Sequence, residues 1–324
     1  MHRCLAILGL CLAAACASPP SAPPAPPPPP VAPPAAELAR SGLAVAVDAE
    51  VKLTDAARKR EIAVAVTYPG GEGPFPVIVF SHGDGGSAKD LRPLLRFWAT
   101  RGYAVLAPSH ADPPPGKGAS DPKAWENRAR DLAFVIDSLP QVSSLPASGH
   151  SYGAYSAGLL AGATVDVPKG EKGRSFADSR PKAFLLLSPP GEGTRGWTKA
   201  SWANVARPVM VVTGSRDQGA KGQDPSWRFD ACRLSPPGDK FCLLLKGASH
   251  LSFIGKYAEP GASLSGRGKG APSAEGEVAI FKDVKAASVA FWDAYLKGDA
   301  AAKVFLESDT LSKDSGGRAT LERR

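Results

Sequence analysis

Five short apolar runs, each closing on small or polar residues, limit the possible folds of this chain more than any other feature. They read "PVIVFSHG" from Pro76, "YAVLAPSH" from Tyr103, "KAFLLLSPP" from Lys182, "PVMVVTGSRD" from Pro208 and "KFCLLLKGASH" from Lys240. A strand that is apolar at successive positions has no solvent face, so it belongs inside a sheet covered on both sides. Helical patterns separate the runs. One spans residues 91–102 and stops at Gly102, another opens at Asp121-Pro122 and runs to about Leu139, and a third covers residues 277–298 and ends at Gly298. "EIAVAVTY", residues 61–68, adds a strand with period-two alternation. This alternation predicts an α/β fold with a mostly parallel central sheet and helices on both faces. Only residues 164–180 and 188–204 offer inserts that could form a lid, so no large cap domain is expected.

The ends of the chain depart from this pattern. Arg3 precedes an apolar run, residues 5–15, that is too short to span a bilayer permanently, and small residues lead up to Cys16. Together they read as an export signal over residues 1–16. "AAAC" resembles the cleavage site of bacterial lipoproteins, which implies lipidation of Cys16, membrane attachment and a place in the cell envelope. The alternative is ordinary cleavage near Ala17 and secretion. "SPPSAPPAPPPPPVAPP" follows, extended and lacking backbone donors for a sheet, so residues 17–40 are expected to form a linker. The folded domain is then expected over residues 41–300, with a polar C-terminal tail at 301–324.

Cys232 and Cys242 are the only cysteines beyond the signal region. In an oxidising compartment they can close a disulfide, the alternative being two unpaired buried thiols. No Cys-x-x-Cys or His-Glu-x-x-His spacing occurs, so neither metal nor cofactor is expected. The formal charge of +8 comes from dispersed basic residues without a stripe of base-stacking aromatics, so nucleic acid is not an expected partner. Oligomeric state is left open.

"GHSYG", residues 149–153, fits Gly-x-Ser-x-Gly, in which glycines relieve crowding at a sharp strand-to-helix turn that exposes the serine hydroxyl. In open α/β sheets, reactive groups gather at the carboxyl ends of strands. Ser151 lies at such a place, Asp217 closes "VMVVTGSRD" and His250 closes "FCLLLKGASH". Of the five histidines, His2 is in the signal, His82 and His110 precede the serine and His150 adjoins it, leaving His250 downstream. A serine hydroxyl becomes nucleophilic when an imidazole takes its proton, and a buried carboxylate holds that imidazole in the required tautomer. Ser151, His250 and Asp217 are the candidates for these roles, with Asp224 and Asp230 as competing acids. Charge developing on a carbonyl oxygen also needs N–H donors. Tyr152, at the start of the following helix, supplies one, and the glycine-rich "SHGDGG", residues 81–86, supplies the second. That loop lacks the Gly-Lys-Ser/Thr of a phosphate cradle.

The stretches "PFPVIVFSHGDGG", "RGYAVLAPSH", "GHSYGA", "VTGSRD" and "GASHLSF" resemble bacterial α/β-hydrolases of the dienelactone hydrolase and platelet-activating-factor acetylhydrolase-like group. The resemblance covers residues 51–298. It implies an α/β-hydrolase fold with a Ser-His-Asp triad and Asp84 as the donor of the second oxyanion N–H; with no large lid, small or exposed carboxylic esters, hydrolysed through an acyl-enzyme, are the expected substrates. The chain departs from the group in two places. "QVSSLPASGHS" contains Pro146 and three serines, so the strand before Ser151 is expected to be short or irregular. Asp84 stands where an apolar residue is usual, so its carboxylate is expected to turn outward. Trp197, Trp202 and Trp227 are candidates either for the wall of a substrate pocket or for packing. A non-catalytic envelope binding protein on the same fold and an acyltransferase remain alternatives.

Overall fold

The computed structural model describes residues 28–42, 45–114, 121–139, 145–265 and 270–324. The expected export signal and Cys16 lie outside them. Residues Val31–Arg324 form one unit. Its strands are β1 (Ala46–Asp55), β2 (Arg60–Pro69), β3 (Val77–Ser81), β4 (Ala104–Pro108), β5 (Leu145–His150), β6 (Pro181–Leu187), β7 (Val209–Gly214), β8 (Lys240–Leu245) and β9 (Ala319–Arg323). They form one sheet in the order β1-β2-β4-β3-β5-β6-β7-β8-β9. The six strands from β4 to β8 are mutually parallel, while β1 and β2 at one edge and β9 at the other run antiparallel to their neighbours. The sheet is therefore mostly parallel, as the apolar runs imply.

Successive side chains of these strands enter two different cores. Ala183, Leu185 and Leu187 of β6 join one, together with Met210 and Val212 of β7. Phe184, Leu186, Val209 and Val211 join the other. The first core lies under α1 (Ala35–Leu38), α2 (Arg92–Thr100), α6 (Ala274–Trp292), α7 (Ala300–Glu307) and α8 (Thr310–Asp314). The second lies under α3 (Pro122–Asp137), α4 (Tyr152–Ala161) and α5 (Asp230–Arg233). Asp121 caps α3 by accepting from the Lys123 N–H, and Pro122 occupies its first turn, where the missing donor costs nothing. Each large side chain buried in this way contributes roughly 1.5–3 kcal/mol, which explains why these strands tolerate no polar alternation.

Both expected domain boundaries move. The stretch set aside as linker, residues 17–40, already belongs to the fold at its end, because Ala35, Leu38 and Ala39 are buried in the first core. After Pro34 the short "AAELA" is free to close a helical turn, and the Ala35 N–H is held by Asp314 Oδ2 at 2.7 Å. Residues 301–324 are likewise no tail. Phe305, Leu306 and Leu311 are buried, and β9 pairs with β8 from Phe241↔Arg323 to Leu245↔Ala319. As an edge strand, "ATLER" keeps polar residues facing solvent, which hides it from a search for apolar runs.

The strand before Ser151 is irregular, as expected. Its register against β6 shifts between Leu145 and Ala147, at Pro146, which has no N–H to give the ladder. It is nevertheless six residues long and wholly buried, no shorter than β3 or β4.

Candidate active site

Ser151 links β5 to α4 with φ 56° and ψ −116°, a strained conformation for a residue with a side chain. The flanking glycines are required by close approach. A Cβ on Gly149 would lie 2.2 Å from the Gly153 carbonyl group, and one on Gly153 would lie 1.9 Å from Ser81 O at the end of β3. Strand, elbow and helix can therefore stack only if both positions lack a side chain. The Ser151 N–H is anchored on Leu187 O at 2.9 Å.

The three residues expected to converge do so. His250 Nε2 lies 2.9 Å from Ser151 Oγ, and His250 Nδ1 lies 2.9 Å from Asp217 Oδ1. With its proton on Nδ1 toward the carboxylate, the ring presents the Nε2 lone pair to the Ser151 hydroxyl, the arrangement in which it can take that proton. The Asp217 side chain is inaccessible, whereas that of His250 is 39 % exposed. Asp224 and Asp230 are engaged elsewhere, on the N–H groups of Ser226 and Glu192.

Four further residues hold this chain in place. Thr213 donates to Asp217 Oδ2 at 3.0 Å, and Arg228 Nη2 pairs with Asp217 Oδ1 at 2.9 Å. Arg228 also donates through Nε to Asp217 O at 2.8 Å, so one guanidinium fixes both the backbone and the carboxylate of the acid. Ser188 Oγ lies 2.7 Å from His250 Nδ1. His150 Nε2 donates to His250 O at 2.7 Å, and burial pushes the His150 pKa down to about 3, so the ring is neutral. Sequence reasoning missed Thr213, Ser188 and Arg228 and saw His150 only as a neighbour. Ser188 closes "KAFLLLSPP" and so had the right address; Arg228 carries no comparable signal.

Tyr152 is the first residue of α4, and the first N–H groups of a helix have no intrahelical acceptor. Across from it, a Cβ on Gly83 would lie 3.5 Å from Ser151 Cβ, so the glycine-rich loop presses against the serine. Asp84 borders both cavities that Ser151 lines. One oxygen of its carboxylate, Oδ1, is shielded from solvent, while the residue as a whole is partly exposed. The Gly86 N–H closes a turn on Gly83 O around Asp84, with Gly85 at φ 62°.

Two cavities meet at Ser151. One, of about 820 Å³, is bordered by Trp125, Tyr152, Arg195, Lys221 and Trp227. The other, of about 320 Å³, is bordered by Leu91, Leu251, Ile254 and Lys256. Trp227 thus walls a cavity. Trp197 and Trp202 are buried and packed on each other with ring centroids 4.2 Å apart, so they serve the core. Cys232 and Cys242 are joined in a disulfide that ties α5 to β8, with Cα atoms 6.1 Å apart. Among the described residues, no group of three or more His, Cys, Asp or Glu could hold a metal ion.

A second chain of the same composition lies inside the protein. Ser81 Oγ is 2.9 Å from His110 Nε2, and His110 Nδ1 is 3.0 Å from Asp131 Oδ2. Arg58 Nη1 and Arg60 Nη2 pair with the Asp131 carboxylate at 2.7 and 3.2 Å. The side chains of His110 and Asp131 are 1 % and 0 % exposed.

No protein-family model matches the chain, and no curated protein matches it. Among solved structures it is similar to a ferulic acid esterase from Streptomyces cinnamoneus, with a TM-score of 0.60 and 18 % identity over 86 % of this chain and 96 % of that one. At this identity the likeness is one of fold. The open, mostly parallel sheet covered by helices on both faces is of the α/β-hydrolase type.

Proposed function

We propose that this protein is a serine-dependent hydrolase of small carboxylic esters. The observation that carries the reading is the contact of His250 with both Ser151 and Asp217, at an elbow that opens on two cavities. As Ser151 Oγ attacks the ester carbonyl carbon, His250 Nε2 takes the hydroxyl proton. The carbonyl oxygen becomes an oxyanion and is met by the N–H groups of Asp84 and Tyr152. Collapse of this intermediate breaks the bond to the alcohol, which leaves with the proton from His250, and Ser151 is left acylated. Water then repeats the attack with His250 as base, releasing the acid and restoring the serine. Asp217 keeps the His250 proton on Nδ1 and balances the imidazolium charge.

A cavity of about 820 Å³ is of the size that holds a drug-sized molecule, and the second gives room on the other side of the scissile bond. The sequence resemblance to the dienelactone hydrolase-like group and the name of the structural neighbour both support ester hydrolysis. Comparing wild type with Ser151→Ala on 4-nitrophenyl acetate to hexanoate tests the reading. A fall in kcat of about 10⁴-fold or more is expected. Equal rates would instead favour a binding protein on this fold.

A further inference from the structure

We propose that Arg128 is a positioning residue that sets the oxyanion hole through the backbone of residues 82–84. The proposal rests on the ester-hydrolase reading above. Arg128 comes from α3, and its side chain is 1 % exposed. Its guanidinium is shared between two main-chain oxygens and the Asp112 carboxylate. Nη1 donates to His82 O at 2.7 Å, and Nη2 donates to Gly83 O at 3.1 Å. Nη1 also reaches Ser81 Oγ at 3.3 Å, while Nε donates to Asp112 Oδ1 at 2.8 Å, and Nη2 pairs with the other oxygen of that carboxylate.

The geometry of a peptide plane gives these contacts their consequence. The bond from Gly83 to Asp84 is trans, so the Asp84 N–H points opposite to the Gly83 carbonyl. Drawing Gly83 O toward Arg128 therefore turns the Asp84 N–H away from Arg128, and Asp84 borders both cavities at Ser151. Two more donors keep the carbonyl in place, His82 Nδ1 at 2.8 Å and the Gly86 N–H at 3.2 Å. The His82 proton is assigned to Nδ1 because Nε2 accepts from the His110 N–H at 3.2 Å. Burial holds the His82 pKa below its ordinary value, which keeps that ring neutral.

The same guanidinium lies on the face of Tyr152, with Cζ 4.1 Å from the ring centroid. Tyr152 carries the other N–H of the hole. One side chain thus touches both contributing residues, and removing it frees the Gly83–Asp84 peptide plane, whose orientation matters only when charge develops on the substrate oxygen.

Steady-state kinetics on 4-nitrophenyl esters, with inhibition by a trifluoromethyl ketone that forms a tetrahedral adduct at serine, test this on Arg128→Gln, Arg128→Lys and Asp112→Asn. Arg128→Gln is expected to lower kcat about 10²-fold with KM within threefold, and to weaken the ketone by the same factor. Arg128→Lys, with one donor group where the guanidinium spans two carbonyls, is expected to lose about tenfold on both measures. If the Gln variant does not fold, Arg128→Lys and Asp112→Asn decide, the latter expected to lose threefold or more in kcat and ketone affinity together. A folded Arg128 variant that keeps both within twofold, or that loses activity only through KM, overturns the proposal alone. An inactive wild type overturns the hydrolase reading and this proposal with it.

Discussion

The two Ser–His–Asp chains of this molecule have nearly the same contacts and different surroundings. In the first, Ser151, His250 and Asp217 are linked at 2.9 and 2.9 Å; in the second, Ser81, His110 and Asp131 are linked at 2.9 and 3.0 Å. His250 reaches solvent, whereas His110 is enclosed, and burial holds its pKa well below the ordinary value for histidine. Ser151 sits at a left-handed elbow that projects its hydroxyl into a cleft, while Ser81 ends a regular buried strand. Under the proposed function, hydrogen-bond lengths therefore do not distinguish a reactive serine from a structural one. Access for the substrate and a backbone that presents the hydroxyl do, and only the first chain has both.

Substitutions of the two serines should differ most. Ser151→Ala is expected to lose at least about 10⁴-fold in kcat, and Ser81→Ala to stay within tenfold while losing about 1 kcal/mol of stability. If the two lost activity equally in kinetic assays, the distinction between the chains would collapse. Among the acids, Asp217→Asn is expected to lower kcat about 10⁴-fold because the imidazole loses its enforced tautomer. Asp131→Asn should leave kcat within tenfold. It removes the carboxylate shared by Arg58 and Arg60, so urea unfolding should show a loss of about 3 kcal/mol.

Acid acts on stability as well. Burial lowers the pKa values of His82, His110 and His150, the last to about 3. Above pH about 6.5, folded and unfolded chains both hold these rings neutral, so they add no pH dependence. Below it the unfolded chain takes up protons first, and stability falls with a slope of up to about 1.4 kcal/mol per pH unit for each ring. For His150 this window extends down to pH about 3. Urea titrations between pH 6.5 and 5 read these rings together with Asp131, Asp230 and Asp283, whose pKa values burial raises and which act in the opposite direction; a His150→Gln variant with an unchanged pH slope would contradict a neutral buried ring.

The parallel strands β3, β4, β6, β7 and β8 were legible because burial on both faces leaves apolar runs, two of which close on Asp217 and His250; Ser151, after the irregular β5, was legible from its flanking glycines. The edges of the sheet were not. In β1, "AVDAEVKLTD" exposes much of its length, and β9 is equally polar. Arg128 was hidden for a different reason: within "ENRARDL" it looks like a solvated helix charge, and its partners His82 and Gly83 are 46 and 45 residues away. Local pattern reveals which face of an element is covered, but not which single cation is drawn inside to satisfy the carbonyls of a distant loop.

The central claim is that Ser151 is the nucleophile of this protein. Treating folded protein with a fluorophosphonate and mapping the modified peptide by mass spectrometry tests it most directly. One adduct on Ser151 is expected, with Ser81 unmodified. Folded protein that takes up no probe, or that carries it on another serine, would contradict the account.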